Sequence, residues 1–424
     1  MGLFKIGEIS RKLIYPILMS LANMFTIIST ILLNKQYLDK EGKVTIEFGK
    51  HPFVIDFIMF AAEGCAIFIF CIQQKIMNNS NFSDISVSTL TKSQIGYKKE
   101  EQKRKSIKFL PDSKRIKILL LIFLTFAFDL IASTALFMTR QIDNVSSMEL
   151  FFKIVCLIVS TFLSICLLNY KYYKHHFIGC VFLTIGLASY SAIDFIENIS
   201  KMDPHDILSS DTVVIISFVF LASYVLTSLQ EVLHKYLMDL MFVSPFVIIS
   251  LEGIFGVVFM SVSFYKFYHQ DCTYKLICTP GNKVENIFET VNNVTSHYQL
   301  FIPIIIMFFS FMAFNCFRLL TNQAYSPTHR IIPDVFGCFF SWLIRVIFPS
   351  LDDIEFMSLH NVVIGFSFFI MMIGALIYLE IIELHFCGLS QNIRRTITSR
   401  QDIDLKINYN IKEDIYPLLD QSVE

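Results

Sequence analysis

The sequence predicts an all-α polytopic membrane protein, ten transmembrane helices in two five-helix halves, and three observations predict it. Of 424 residues, 54% are hydrophobic and 17% charged, whereas a soluble domain carries about 25% charged residues. Mean hydropathy is +0.57. The apolar residues, 44 Phe among them, gather in ten runs close to the ~20 residues a helix needs to cross a bilayer core. So little polar surface excludes soluble, disordered and fibrous classes. With 35 Lys+Arg against 36 Asp+Glu, there is no basic excess to hold nucleic acid. The ten Cys are scattered, with no CxxC pair and no disulfide-scaffold density.

The runs cover residues 13–33, 53–72, 116–138, 148–169, 176–194, 212–233, 244–266, 299–321, 331–349 and 360–384. The first follows Lys5, Arg11 and Lys12. It is too long for a signal-peptide core and no small-residue cleavage site follows, so it reads as a retained span. Cytosolic flanks collect Lys and Arg. With a cytosolic N-terminus, 23 of the 35 fall on the cytosolic side, 9 on the other and 3 within spans. Both termini are then cytosolic.

The 73–115 segment is Ser/Asn-rich, then Lys-rich, and reads as a disordered cytosolic linker. The opposite-side segment 267–298 holds Cys272 and Cys278, a candidate small disulfide, and the sequon Asn293-Val294-Thr295. The tail, 386–424, contains Tyr416-Pro417-Leu418-Leu419 after Asp414. There Tyr416, Leu418 and Leu419 fit both tyrosine-based and dileucine sorting patterns, which adaptors read as extended peptides. That pattern suggests an endomembrane address, lysosome/vacuole or Golgi.

Ionisable groups inside spans carry the functional signal, because a charge at mid-bilayer costs roughly 2.5–3.5 kcal/mol and normally faces the bundle interior. Glu63 and Asp129 are the deepest of the candidates, with Asp56, Lys153, Glu252, Arg318, Asp334, Arg345 and Glu380. Glu252 is followed by Gly253 and Gly256, a small-residue face on which another helix can close. No GxSxG, P-loop, HExxH or Gly-rich dinucleotide turn occurs, so neither enzyme nor cofactor is expected. His175-His176 has no third ligand nearby in sequence and reads as interfacial rather than as a metal site.

The halves, 1–194 and 212–385, show a faint similarity. Leu136-Phe137-Met138-Thr139 precedes Ser146-Ser147, and Arg318-Leu319-Leu320-Thr321 precedes Ser326 and Thr328. An odd number of spans per half makes any such repeat inverted.

In order along the chain, several stretches resemble one family. They are His51-Pro52-Phe53 with Met59-Phe60 and Glu63; Asp129 with Ser133-Thr134, Met138-Thr139 and Ser146-Ser147; Glu231 with Lys235; Glu252-Gly253-Ile254-Phe255-Gly256; and Phe314-Asn315 with Thr328, Arg330 and Asp334. The chain resembles the drug/metabolite transporter superfamily (EamA-like), specifically the F-type branch of the solute carrier 35 family, close to nucleotide-sugar transporters. The resemblance implies two inverted five-helix repeats around a cavity opening alternately to each side. It implies a small polar or anionic solute of nucleotide-sugar or metabolite class, with a proton or counter-solute as partner. Glu63, Asp129, Lys153, Asn315, Arg330 and Asp334 are the expected pathway residues, and Glu252, Gly253 and Gly256 the expected structural or gate residues. Two departures stand out. A basic residue expected in the fourth span falls at Phe152, with Lys153 one later, and one expected in the ninth falls at Gly337. A non-transporting adaptor that retains the carrier fold is the alternative.

Overall fold

A computed structural model describes residues 2–34, 37–38, 44–46, 51–79, 112–140, 146–170, 172–201, 210–272, 283–296, 300–347 and 359–382. Helices α1 (Gly2–Asn34), α2 (Pro52–Gly64), α3 (Ala66–Asn79), α4 (Asp112–Arg140), α5 (Ser146–Leu168) and α6 (Lys174–Lys201) make the first part of the chain. Helices α7 (Ser210–Asp239), α8 (Pro245–His269), α9 (Ile287–Ser296), α10 (Phe301–Ala324), α11 (Ile331–Ile347) and α12 (Leu359–Tyr378) make the second. A 3₁₀ turn, Pro327–Arg330, leads into α11, and a small antiparallel hairpin, Tyr37–Leu38 with Val44–Ile46, follows α1. Among the described residues, nine stretches are long and apolar enough to cross a membrane, and they overlap nine of the ten expected runs. At the remaining run, 331–349, lies α11, with 17 residues.

The burial pattern is that of a protein whose solvent is lipid. Phe218, Val262 and Ile302 are each more than 60% exposed, while Glu63, Gln230, Glu231 and Glu252 are buried. Polar groups turn inward because hydrocarbon offers them no hydrogen bonds.

Two helix starts follow from proline. Pro52 and Pro245 open α2 and α8, where the missing N–H costs nothing and φ is already set. Each begins the same tetrapeptide, Pro-Phe-Val-Ile, at 52–55 and at 245–248, and each leads to a Glu-Gly pair, Glu63-Gly64 and Glu252-Gly253. These helices cross each other there. A Cβ on Gly253 would lie 2.6 Å from the Phe60 carbonyl oxygen, and one on Gly256 2.6 Å from Phe60 Cβ. The same device joins α6 to α12, where a Cβ on Gly179 would lie 2.8 Å from the Gly374 carbonyl. Small residues let helices touch backbone to backbone where van der Waals contact must replace the hydrophobic effect.

The remaining contacts are paired. Helix α1 packs on α10 and α11, as α7 packs on α4 and α5; α2 also touches α10, as α8 touches α4.

Three boundaries differ from expectation. The second span breaks at Cys65, whose N–H reaches back to the Ala61 carbonyl at 3.2 Å before α3 resumes. Helix α12 ends at Tyr378 rather than near 384, because Glu380 adopts φ 59° and the Ile381 and Ile382 N–H groups turn back to the Leu376 carbonyl. The 267–298 segment contains α9, held to the start of α2 by His51, whose Nδ1 lies 2.6 Å from Glu285 and 3.1 Å from Thr290. Beside it Lys283 donates to Asp271 at 2.6 Å and holds that carboxyl below its ordinary pKa. Cys272 is disulfide-bonded, and Cys278 lies outside the described residues. So do most of 73–115, the 386–424 tail with Tyr416, Leu418 and Leu419, and the side chains of Asn293 and Arg345.

Candidate functional site

A cavity of about 170 Å³ lies among α1, α2, α4, α5, α7, α10, the 3₁₀ turn and α11. Five of the six expected pathway residues line it: Asp129, Lys153, Asn315, Arg330 and Asp334. The sixth, Glu63, stands behind the wall, where Asn315 Nδ2 donates to its Oε1 at 2.7 Å. Its other oxygen has no hydrogen-bond partner among the described residues, and neither does Asp129 Oδ2.

An alternating row of charges joins four lining residues through Glu231, which is not itself among the lining residues. Asp129 Oδ1 lies 4.0 Å from Arg318 Nη2; Arg318 Nε lies 3.1 Å from Glu231 Oε1. Arg330 Nη1 reaches the same Glu231 oxygen at 2.6 Å, and Arg330 Nη2 is 3.8 Å from Asp334 Oδ2. The row therefore ties α4, α10, α7, the 3₁₀ turn and α11 together. Glu231 is the hub, and Asn322 Nδ2 donates at 2.9 Å both to its Oε2 and to its backbone carbonyl. A carboxylate so deep is tolerable only because two guanidiniums and an amide replace water around it.

Two further polar contacts involve lining residues. Lys153 lies 3.6 Å from Cys338 Sγ, and Tyr224 donates to Glu149 at 3.3 Å. The two departures noted from sequence have physical sequels. Phe152 stacks on Phe220, ring centroids 5.7 Å apart, which leaves Lys153 as the cation of α5 on the cavity. At Gly337 a Cβ would meet Asn23 Cβ at 2.7 Å, so α1 occupies the room that a basic side chain would need.

Glu252, Gly253 and Gly256 do not line the cavity. Glu252 accepts the buried His234 at 2.8 Å, and the two glycines form the α2–α8 crossing. Several lining residues escaped the sequence reading: Asn23 and Thr26 on α1, Glu149, Tyr224 and Thr227. On α1 the missed signal was a polar stripe, Ser20, Asn23 and Thr26, spaced along one helical face. Ser20 donates to the Pro333 carbonyl at 3.0 Å and Asn23 to that of Asp334 at 3.2 Å. Glu231 was noted only within the family pattern, although it lies near the end of the 212–233 run.

No family model matches this chain, and no curated protein matches it. It is similar to a solved structure described only as "Crystal structure of protein", at 11% identity and a TM-score of 0.42, over 86% of this chain and 99% of that one.

Proposed function

We propose that the chain is a membrane carrier that moves a small polar solute, of nucleotide-sugar or metabolite class, by alternating access. The observation that carries this reading is a polar cavity, walled by both halves of an otherwise apolar helix bundle and edged by both signs of charge. Carriers built from inverted repeats bind solute near the midplane, between the repeats. Here Lys153 and Arg330 would meet anionic groups of the solute, and Asp129 and Glu63 a proton or cation. An adaptor would need the fold but no such cavity.

The finer architecture belongs to the same proposal: ten spans, α11 completing the set, in two inverted repeats. The paired helix contacts support it, since exchanging spans one to five with six to ten turns α1–α10 into α7–α4 and α1–α11 into α7–α5. So does Pro-Phe-Val-Ile, which stands at the start of the second and the seventh span. A disulfide at Cys272 agrees with a luminal or external position for its loop. That leaves the Lys-rich loop and both termini cytosolic, on an endomembrane. Membership in the drug/metabolite transporter superfamily, near the F-type solute carrier 35 branch, is part of the proposal and rests on the motifs quoted above.

The test is a thermal-shift screen of detergent-purified protein against nucleotide sugars, nucleotides and small organic acids. At least one class is expected to raise the melting temperature, since a ligand at ~100 times its Kd stabilises by about 2.7 kcal/mol. If no class did so and proteoliposomes accumulated none of them, the carrier reading for these solutes would be overturned.

A further inference from the structure

At the end of the bundle where α6 begins and α12 stops, three metal-ligating side chains meet that sequence separates by about 200 residues. His175 Nε2 lies 2.8 Å from Glu380 Oε1, and His176 Nε2 lies 4.0 Å from the same oxygen. The two imidazole rings are 4.0 Å apart, centre to centre. One ligand atom from each of the three residues falls within 4.8 Å of the others. Ligands at ~2.0–2.2 Å from a tetrahedral zinc stand roughly 3.3–3.5 Å apart, so sub-ångström shifts would close this set on an ion.

The carboxylate sits at an unusual backbone position. Glu380 has φ 59°, in the turn that ends α12, a position that favours glycine. A glutamate there carries strain of order 1 kcal/mol, and what it provides is an acid against two histidines of another helix. The surroundings are aromatic and half-dry. Tyr173 stacks on His175 with rings 12° from parallel, and Tyr378 meets His176 edge-on at 5.0 Å. His175 is buried, and its Nδ1 has no hydrogen-bond partner among the described residues.

We propose that His175, His176 and Glu380 form a binding site for a divalent transition metal, zinc by ligand type. Two imidazoles and one carboxylate suit zinc and leave its fourth position to water. The ion would take the place of the Nε2–Glu380 hydrogen bond at His175, with the ring proton carried on Nδ1, which has no hydrogen-bond partner among the described residues. At His176 it would move the ring proton to Nδ1 and give up the long 3.3 Å bond from the Tyr173 N–H. Protonation of the imidazoles competes with the ion, so binding weakens in acid. Because the ligands come from α6 and from the turn after α12, the ion would staple together the ends of two helices that already pack through Gly179 and Gly374.

The experiment is titration of the chelator-treated full chain in detergent with Zn²⁺, and with Mg²⁺ as the control, followed by calorimetry and by melting temperature. Zn²⁺ is expected to bind at one saturable site and raise the melting temperature; Mg²⁺ is not. Glu380→Gln and His175→Ala are each expected to weaken Zn²⁺ binding at least about tenfold. His176→Ala, the third variant, covers failure of either to fold. Co²⁺ in place of Zn²⁺ is expected to give the visible absorption of a tetrahedral N/O site. Zn²⁺ affinity equal in the wild type and in every folded variant, or no saturable binding, would overturn the proposal.

Discussion

If the chain is the carrier proposed, Asp129→Asn is expected to reduce solute uptake by proteoliposomes at least about 100-fold, the factor that ~3 kcal/mol of lost charged interaction gives, while the protein still inserts and folds. The substitution keeps the shape of the side chain and removes only its charge. Arg318 retains Glu231 at 3.1 Å, so no guanidinium is stranded and the fold survives. What disappears is the carboxylate that faces the cavity with an oxygen lacking a hydrogen bond. Glu63→Gln is expected to have the same outcome by another route, because Asn315, which holds Glu63 at 2.7 Å, is itself on the wall. Uptake is measured against the uncoupled leak of protein-free vesicles. Normal uptake by both variants would remove these acids from the mechanism.

Glu231→Ala has the largest effect on stability. One carboxylate oxygen serves Arg330 at 2.6 Å and Arg318 at 3.1 Å, and the residue is 1% exposed. Removing one member of a buried ion cluster costs about 3–5 kcal/mol, because the charges left behind have no water to turn to. The expected result is a sharp loss of folded protein on size exclusion and a lower melting temperature. Replacing Arg318 by Met in the same chain is expected to recover part of the loss, since it removes one stranded charge. A Glu231→Ala protein that melts like the wild type would show that the row of charges does not hold these helices together.

The spans were legible because bilayer thickness and hydropathy act on contiguous residues, and nine of the ten expected runs coincide with helices of sufficient length. The depth of Asp129 was legible for the same reason. Pairings were not. Sequence offered no route from Glu231 to Arg330, or from His175 to Glu380, since those contacts are set by helix packing across roughly 100 and 200 residues. The His175-His176 pair, read as interfacial for want of a third ligand, meets the Glu380 carboxylate only through the turn after α12. The break at Gly64-Cys65 was hidden because an unbroken apolar run looks alike whether or not a helix bends. The Pro-Phe-Val-Ile repeat was in plain view, and gained meaning only once α2 and α8 were seen to cross.

The most direct test of the carrier account is thiol accessibility of a Ser133→Cys variant in sealed proteoliposomes, read at that residue by peptide mass spectrometry. Ser133 lines the cavity. The account predicts that a membrane-impermeant reagent modifies the introduced thiol from one face, and that transported solute slows modification there or exposes the thiol to the other face. A thiol that stays unmodified from both faces, in a variant that folds, would contradict it.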